Sequence, residues 1–418
     1  MYYTKPKLLY YRLAQAVCRI AGKYLFRPQV LRNEIKDVKG PYVVIANHQS
    51  MLDFLTLIGL TKRPMSFVIS QSFYRSLPIT GFLDKLGVIP KQQFQTTVSD
   101  MKKMKSVIKN GQPLVIYPAG LMCEDGLSTP VPLATYKFLQ WLKADVYVAR
   151  CRGTYFAMPK WSKKIRPGKT TMDVYKLFTK EELAAADLET IQRKADEALL
   201  YDAYREQEEL QFRYKHNDNV EGLEHVLYKC PHCHSEFNME VRDGNTLHCR
   251  ECGYEAKSDE LGFLHNTKGF GPEIRYVSDW SRFILDSLTE QVRNGEDVWL
   301  EDVTAVHMID PKTHKFVDVG HGTLRLNEHE FAFRGTLNGK KAALTFPTDP
   351  LPTLPFKPGK YMEIQHGENI YRCYLRKGHL VMKFINLVKI FYVLHQESTK
   401  EQIACQDHPY NGWPALTL

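Results

Sequence analysis

Four near-continuous apolar runs, YVVIAN (42–47), MSFVIS (65–70), PLVIYP (113–118) and DVYVAR (145–150), constrain the first half of the chain more than any other feature. Helix-patterned stretches, notably 99–109 and 131–144, lie between them. A strand that is apolar along its whole length is buried on both faces, and intervening helices supply the cover. Residues 40–180 are therefore expected to be α/β, with a mostly parallel sheet flanked by helices. Residues 181–212, rich in Ala, Leu and Glu, read as a helical extension of that domain. From about 270 the pattern changes to a helix (278–293), a series of short alternating strands broken by Asp-Pro, Asn-Gly, Pro-Gly and His-Gly turns, and a last helical stretch at 381–396. That part is expected to be a small β-rich domain.

Between the two lies Cys230-Pro-His-Cys233, then fifteen residues, then Cys249-Arg-Glu-Cys252. Two Cys-x-x-Cys knuckles supply four thiolates for a closed tetrahedral site, so the spacing predicts a zinc ribbon whose Zn²⁺ is structural. Asp243-Gly244 suits the hairpin turn between the knuckles. Iron of the rubredoxin type fits the same ligands, and His232, His234 and His248 stand by as spare donors. The other five of the nine cysteines are scattered, which argues for a reducing compartment and against a disulfide framework.

Charge divides the 418 residues in the same place. Residues 1–180 hold 29 Lys and Arg against 9 Asp and Glu, a balance of +20, whereas the remainder holds 27 against 38. The first part seeks an anionic partner, either nucleic acid or an anionic membrane surface. No nucleic acid is expected, because the flank of the ribbon (221–260) is acidic, with Glu221, Glu224, Glu236, Glu240 and Asp243 among its residues. Residues 5–27 read as an amphipathic helix, with Lys5, Arg12, Arg19, Lys23 and Arg27 on one stripe beside Leu9, Leu13, Val17, Ile20 and Tyr24. Such a helix either lies in a lipid interface or packs on its own domain with a solvated basic edge. The run PKWSKKIRPGK (159–169) is expected to be a solvated basic face resting on lipid headgroups. Arg12 and Arg19 interrupt the first apolar stretches, so no cleavable signal is expected and the location is read as cytoplasmic, peripheral on the inner face of the cell membrane. A composition of 44% hydrophobic and 25% charged residues excludes wholesale disorder and fibrous folds. Neither GxGxxG nor a Walker loop occurs, so nucleotide-binding readings have no support.

The run YVVIAN leads directly into NHQSMLDF (47–54). His48 and Asp53 lie five positions apart, which on a continuous helix puts them about 140° apart. They meet only if His48 sits in the turn before a helix and Asp53 in its first turn. Ser50 favours that start, since Ser-x-x-Asp opens helices; the same pattern would let Asp53 serve only as a cap.

The blocks along residues 20–180 resemble the glycerolipid acyltransferase family, typified by bacterial 1-acylglycerol-3-phosphate acyltransferases. Asn47, His48 and Asp53 match its Asn-His-x-x-x-x-Asp, and Gly87-Val88-Ile89-Pro90-Lys91 is similar to its second block. Tyr117-Pro118-Ala119-Gly120-Leu121-Met122-Cys123 aligns with Phe-Pro-Glu-Gly-Thr-Arg-Ser, and 146–149 with a fourth, apolar block. The resemblance implies an enzyme that moves a fatty acyl group from acyl-CoA or acyl-carrier protein to a lysolipid hydroxyl, best 1-acylglycerol-3-phosphate, in phospholipid synthesis and without a catalytic cofactor. His48 would be the general base and Asp53 its orienter, which suits the chemistry, since imidazole titrates near neutrality and a carboxylate fixes its tautomer. Asn47, Lys91, Gly120 and Arg152 are the expected substrate-binding residues. The third block departs from the family: Ala119 and Met122 replace the Glu and Arg that help bind the acceptor. Lys91 is then the best-placed substitute, with Arg152 next and Arg150 beside it. A lysophospholipid acceptor without a phosphomonoester, or a non-catalytic membrane adaptor on the same fold, are the alternatives. The expected organisation is a membrane-associated helix (1–30), an acyltransferase domain with helical extension (31–212), a zinc ribbon (213–264) and a β-rich domain (265–418) with an outline similar to pleckstrin-homology or GRAM-like folds.

Overall fold

A computed structural model of the chain describes residues 4–94, 97–214 and 217–403, the side chains of 398–403 excepted. The described chain separates into two compact units, residues 1–216 with 260–262, and residues 217–259 with 263–418.

The first unit holds strands β1 (Pro28–Asn33), β2 (Tyr42–Ala46), β3 (Ser66–Ser70), β4 (Ile89–Lys91), β5 (Leu114–Ile116), β6 (Asp145–Arg152) and β7 (Thr170–Phe178). They form one sheet in the order β1-β7-β6-β2-β5-β3-β4. β6, β2, β5, β3 and β4 run parallel, while β7 is antiparallel to β6 and carries β1 parallel to itself. The helices are α1 (Leu8–Leu25), α2 (Phe54–Leu57), α3 (Gln71–Arg75), α4 (Thr80–Lys85) and α5 (Val98–Lys109). After them come α6 (Leu133–Leu142), α7 (Thr154–Ala157), α8 (Lys180–Ala185), α9 (Leu188–Leu199) and α10 (Ala203–Leu210).

The sheet is covered on both faces, which is why its central strands carry no polar alternation. Val43 and Ile45 of β2 and Val146 and Val148 of β6 pack with Met104, Val107 and Ile108 of α5, Leu139 and Leu142 of α6, and Ile191 and Ala195 of α9. Tyr42, Val44, Tyr147 and Ala149 point the other way, onto Tyr11 and Ala14 of α1 and onto Leu57 and Ile58. Each fully buried aliphatic side chain contributes about 1.5–3 kcal/mol.

α1 buries Tyr11, Ala14, Gln15 and Gly22; the first two pack with the sheet's core residues, and Gln15 donates to the carbonyls of Ile58 and Thr61. Its opposite apolar stripe is not packed: Leu9, Leu13, Val17, Ile20 and Tyr24 are 58–79% exposed. Among the described residues no helix is long and apolar enough to cross a membrane.

The run 159–169 differs from the expected solvated face. Lys160, Trp161, Ser162 and Arg166 are buried, with Arg166 lying over the Trp161 ring, and Lys163 and Lys164 are exposed. Sequence charge alone missed this, because an acidic partner of Lys160, Glu124, stands in a loop far away along the chain.

The second unit begins with the antiparallel sheet β8 (Met239–Arg242), β9 (Thr246–Cys249), β10 (Glu255–Ser258) and β11 (Leu264–Asn266), ordered β11-β10-β9-β8. Its first turn places Asp243 and Gly244 at φ 55° and 67°, and a Cβ on Gly244 would lie 2.2 Å from the Asn217 carbonyl oxygen. Glycine is required there. Helix α11 (Val277–Arg293) buries Trp280, whose indole nitrogen donates to the Lys229 carbonyl at 2.8 Å.

The β-rich part comprises β12 (Leu300–Ile309), β13 (Phe316–Leu326), β14 (Glu330–Leu337), β15 (Lys340–Pro347), β16 (Phe356–Lys357), β17 (Tyr361–His366) and β18 (Asn369–Leu375). These strands form one antiparallel sheet in the order β15-β14-β13-β12-β18-β17-β16. The closing helix α12 (Leu380–Ile403) buries Val381, Phe384, Ile385 and Val388.

Candidate active site and thiolate cluster

β2 ends at Ala46, and its ladder to β6 continues through a side chain. Asn47 donates its amide to the Cys151 carbonyl at 2.7 Å and accepts from the Cys151 amide at 2.7 Å. Both ends of Asn47 are thus engaged with β6, and the chain leaves the sheet at His48 in a fixed direction. His48 lies in the turn that follows, and Asp53 stands at the N-cap of α2, one position before its first helical residue. Asp53 does not serve as a helix cap: its side chain turns back over the loop. Its Oδ2 accepts from the backbone amides of Gln49 (2.9 Å) and Ser50 (3.0 Å) and lies 3.0 Å from His48 Nδ1. The carboxylate is 2% exposed, and the loop curls around it.

With Nδ1 held by Asp53, Nε2 is the ring nitrogen that this contact leaves unengaged. The His48 side chain is 21% exposed. Its ring lies against the Tyr117 ring, centroids 4.3 Å apart and planes inclined by 30°. The His48 carbonyl accepts from the Cys123 amide and the Tyr201 hydroxyl, each at 3.3 Å. Gln49, fully buried, accepts from Thr154 Oγ1 and the Tyr155 amide. The His48 loop is therefore tied to the third block, to α7 and to the segment before α10.

The third block turns directly after β5. Gly120 has φ 71°, its amide donates to the Tyr117 carbonyl, and a Cβ there would meet only Phe94, at 4.0 Å. The backbone conformation, not crowding, calls for glycine. Beneath the loop, Lys160 donates to the Met122 carbonyl at 3.3 Å and lies 4.0 Å from Glu124.

The expected anion-binding side chains are not gathered at one point. Lys91 ends β4 and donates to the Gln92 carbonyl at 2.9 Å; burial lowers its pKa, which Asp100 partly offsets. Arg150 and Arg152, on β6, share Glu206 of α10, at 2.6 and 3.8 Å. Burial raises the pKa of Glu206, and the two guanidinium groups oppose that rise. Sequence reasoning missed Tyr201, Gln49 and the Lys160–Glu124 pair. Gln49 occupies a variable position of the first block, and the partners of all of them lie across a long stretch of chain: Thr154 and Tyr155 for Gln49, the His48 carbonyl for Tyr201, and each other for Lys160 and Glu124. Tyr117 stood in the quoted third block, where its ring carried no assigned role.

Residues 27–154 match the family model described as Acyltransferase. The first unit carries an acyltransferase-family domain. A 1-acyl-sn-glycerol-3-phosphate acyltransferase of Chlamydomonas reinhardtii is 26% identical over 140 residues, 32% of this chain and 42% of that protein. A chloroplastic enzyme of the same name from Brassica napus is 27% identical over 128 residues, 30% and 37% of the two chains. One from Arabidopsis thaliana is 33% identical over 90 residues, 21% and 24%. The chain thus spans 24–42% of the length of these relatives. The crystal structure of the 1-acyl-sn-glycerophosphate acyltransferase PlsC from Thermotoga maritima aligns at TM-score 0.40 and 19% identity, over 48% of this chain and 80% of that one. The acyltransferase domain thus contains the whole His48–Asp53 loop, the second and third blocks and Arg152.

In the second unit the sulfurs of Cys230, Cys233, Cys249 and Cys252 all lie within 4.8 Å of one another. Two of the separations, Cys230–Cys252 and Cys233–Cys249, are 3.7 Å. Four thiolates about 2.3 Å from a tetrahedral ion stand about 3.8 Å apart, so the donors fit such an ion. The spare histidines face elsewhere: His248 pairs with Glu255, while His232 and His234 pack on Phe270 and Phe283. Left-handed backbone at His234 and Gly253 lets each knuckle fold back under its first cysteine.

Proposed function

We propose that the chain is an acyltransferase that moves a fatty acyl group from a thioester donor, acyl-CoA or acyl-carrier protein, to a glycerolipid hydroxyl, with 1-acylglycerol-3-phosphate as the best acceptor. The observation that carries this reading is the His48 Nδ1–Asp53 contact inside a domain of the acyltransferase family. His48 Nε2 takes the acceptor's hydroxyl proton as its oxygen attacks the thioester carbonyl. Asp53 stabilises the imidazolium. The carbon–sulfur bond then breaks, and the proton passes from Nε2 to the departing thiolate. The dyad's geometry also speaks against a non-catalytic adaptor.

The acceptor rests on family precedent, because Ala119 and Met122 leave the third block without its usual charged pair. Radiolabelled acyl-CoA and acyl-carrier protein, offered with a panel of lysolipids, test the reading. Transfer to lysophosphatidic acid that fails in His48→Ala supports it. Robust transfer to a lysophospholipid with a larger headgroup, and little to lysophosphatidic acid, would move the assignment to the second acceptor class. No transfer to any acceptor would end the enzymatic reading.

The exposed stripe Leu9, Leu13, Val17, Ile20 and Tyr24 supports a peripheral place for the protein on an anionic membrane, on the inner face of the cell membrane. A helix packed only on its own domain would have buried that stripe. The four cysteines would hold a structural Zn²⁺, with no position left open for substrate.

A further inference from the structure

We infer that Tyr117 is a positioning residue for the His48 base: its aromatic face holds the imidazole plane and stabilises the imidazolium that forms when Nε2 takes a proton. This rests on the acyl-transfer reading of the same site. The covalent bond to Cβ and the contact of Nδ1 with Asp53 hold one edge of the imidazole and leave its face uncovered. The Tyr117 ring covers that face at 4.3 Å and 30° and restrains the plane from the side the carboxylate does not reach. Its place is set by the sheet. β5 runs parallel to β2 with Ile45 opposite Ile116, so the residues that leave the two strands emerge side by side. The Gly120 amide closes the turn onto the Tyr117 carbonyl and fixes the backbone from which the ring projects.

The face of an aromatic ring carries negative electrostatic potential, so a cation stacked on it is favoured over the neutral form. The ring acts as a neutral phenol. Burial and the Asp53 carboxylate both push its ionisation far up, and its hydroxyl has no hydrogen-bond partner among the described residues. The other groups around the dyad are held neutral in the same way. Burial raises the thiols of Cys123 on the third block and Cys151 on β6, and the phenol of Tyr201 before α10. Asp53 is the charged group that touches His48, and Tyr117 is the polarisable surface on its ring face. The carboxylate and the ring therefore act on the imidazolium from different directions, one in its plane and one above it.

The test keeps the shape of residue 117 and changes its electrons. The full chain is made with Tyr117→Phe, with trifluorophenylalanine at 117 by stop-codon suppression, and with Tyr117→Leu. kcat and KM are followed from pH 5 to 9, and the His48 ring-proton shifts are read by NMR without substrates. The NMR arm needs no turnover, so its failure is distinct from failure of the acyltransferase reading. Tyr117→Phe should keep the upfield ring-current shift of His48 and kcat within about threefold. The fluorinated ring should keep the stacking yet move the acid limb of the rate profile, where the base becomes protonated, down by roughly half to one and a half pH units. Tyr117→Leu should lose the ring-current shift and lower kcat about tenfold or more, with KM for donor and acceptor unchanged. An acid limb that ignores fluorination, or a Tyr117→Phe enzyme as impaired as Tyr117→Leu, would overturn the inference. The first result removes the role of the ring face, and the second moves it to the hydroxyl.

Discussion

Replacing Asp53 by Asn separates the charge of this side chain from its geometry. Oδ2 accepts from the Gln49 and Ser50 amides as well as from His48 Nδ1. An amide group in its place therefore keeps its oxygen at the Oδ2 position, because turning it would set an NH₂ against two backbone N–H donors. The Nδ1–H tautomer is preserved, and what is lost is the attraction between carboxylate and imidazolium. The contact is 3.0 Å, and delocalisation over both groups sets the charge centres about 4–5 Å apart. At an effective dielectric of about 20 that attraction is about 3–4 kcal/mol. Asp53→Asn should therefore reduce kcat by about 10²–10³. In a serine triad, by contrast, the same change reverses the tautomer and lowers kcat by about 10⁴. A coupled thiol-release assay with saturating acyl-CoA and lysolipid reads the rate, and a thermal melt confirms that the variant is folded. A loss below tenfold in folded protein would refute the reasoning and reduce Asp53 to a staple for its loop.

Three further outcomes follow from other parts of the molecule. Elemental analysis of freshly reduced protein should find about one zinc per chain, and Cys249→Ser should release it and lower the melting temperature; protein without stoichiometric metal would contradict the ribbon assignment. Lys160→Ala should destabilise the protein by about 3–5 kcal/mol in urea titrations, because it removes one member of a buried, charged contact, and Lys160→Met combined with Glu124→Gln should recover most of the loss. Leu13→Glu with Val17→Glu should weaken flotation with anionic vesicles about tenfold or more, and raising salt from 0.1 to 1 M should weaken the binding of the unaltered chain; equal binding to neutral vesicles at low salt would count against the electrostatic part.

The sequence by itself determined the features that depend on near neighbours in the chain. The apolar runs that became β2, β3, β5 and β6 announced a doubly covered sheet, because a strand without polar alternation has no face to offer water. The cysteine spacing announced four thiolates in one place, because a knuckle closes within a few residues. His48 and Asp53 were legible because the turn that joins them is five residues long. Strands β1, β4 and β7 were not legible. β1 has the polar look of an edge strand, β4 has three residues, and β7 runs against its neighbour β6. The rest of the site also waited for the tertiary structure. Sequence charge put Lys160 and Arg166 in water, and packing buried them, one against Glu124 and the other over Trp161. Arg150 and Arg152 read as free cations until α10 brought Glu206 to both. Tyr117 was a letter in a block until the register of β5 on β2 laid its ring on His48. Local spacing determines which groups can meet within a turn. Whether a charge is solvated, or a ring is stacked, depends on segments that meet only when the sheet closes, and no short window of sequence contains both partners.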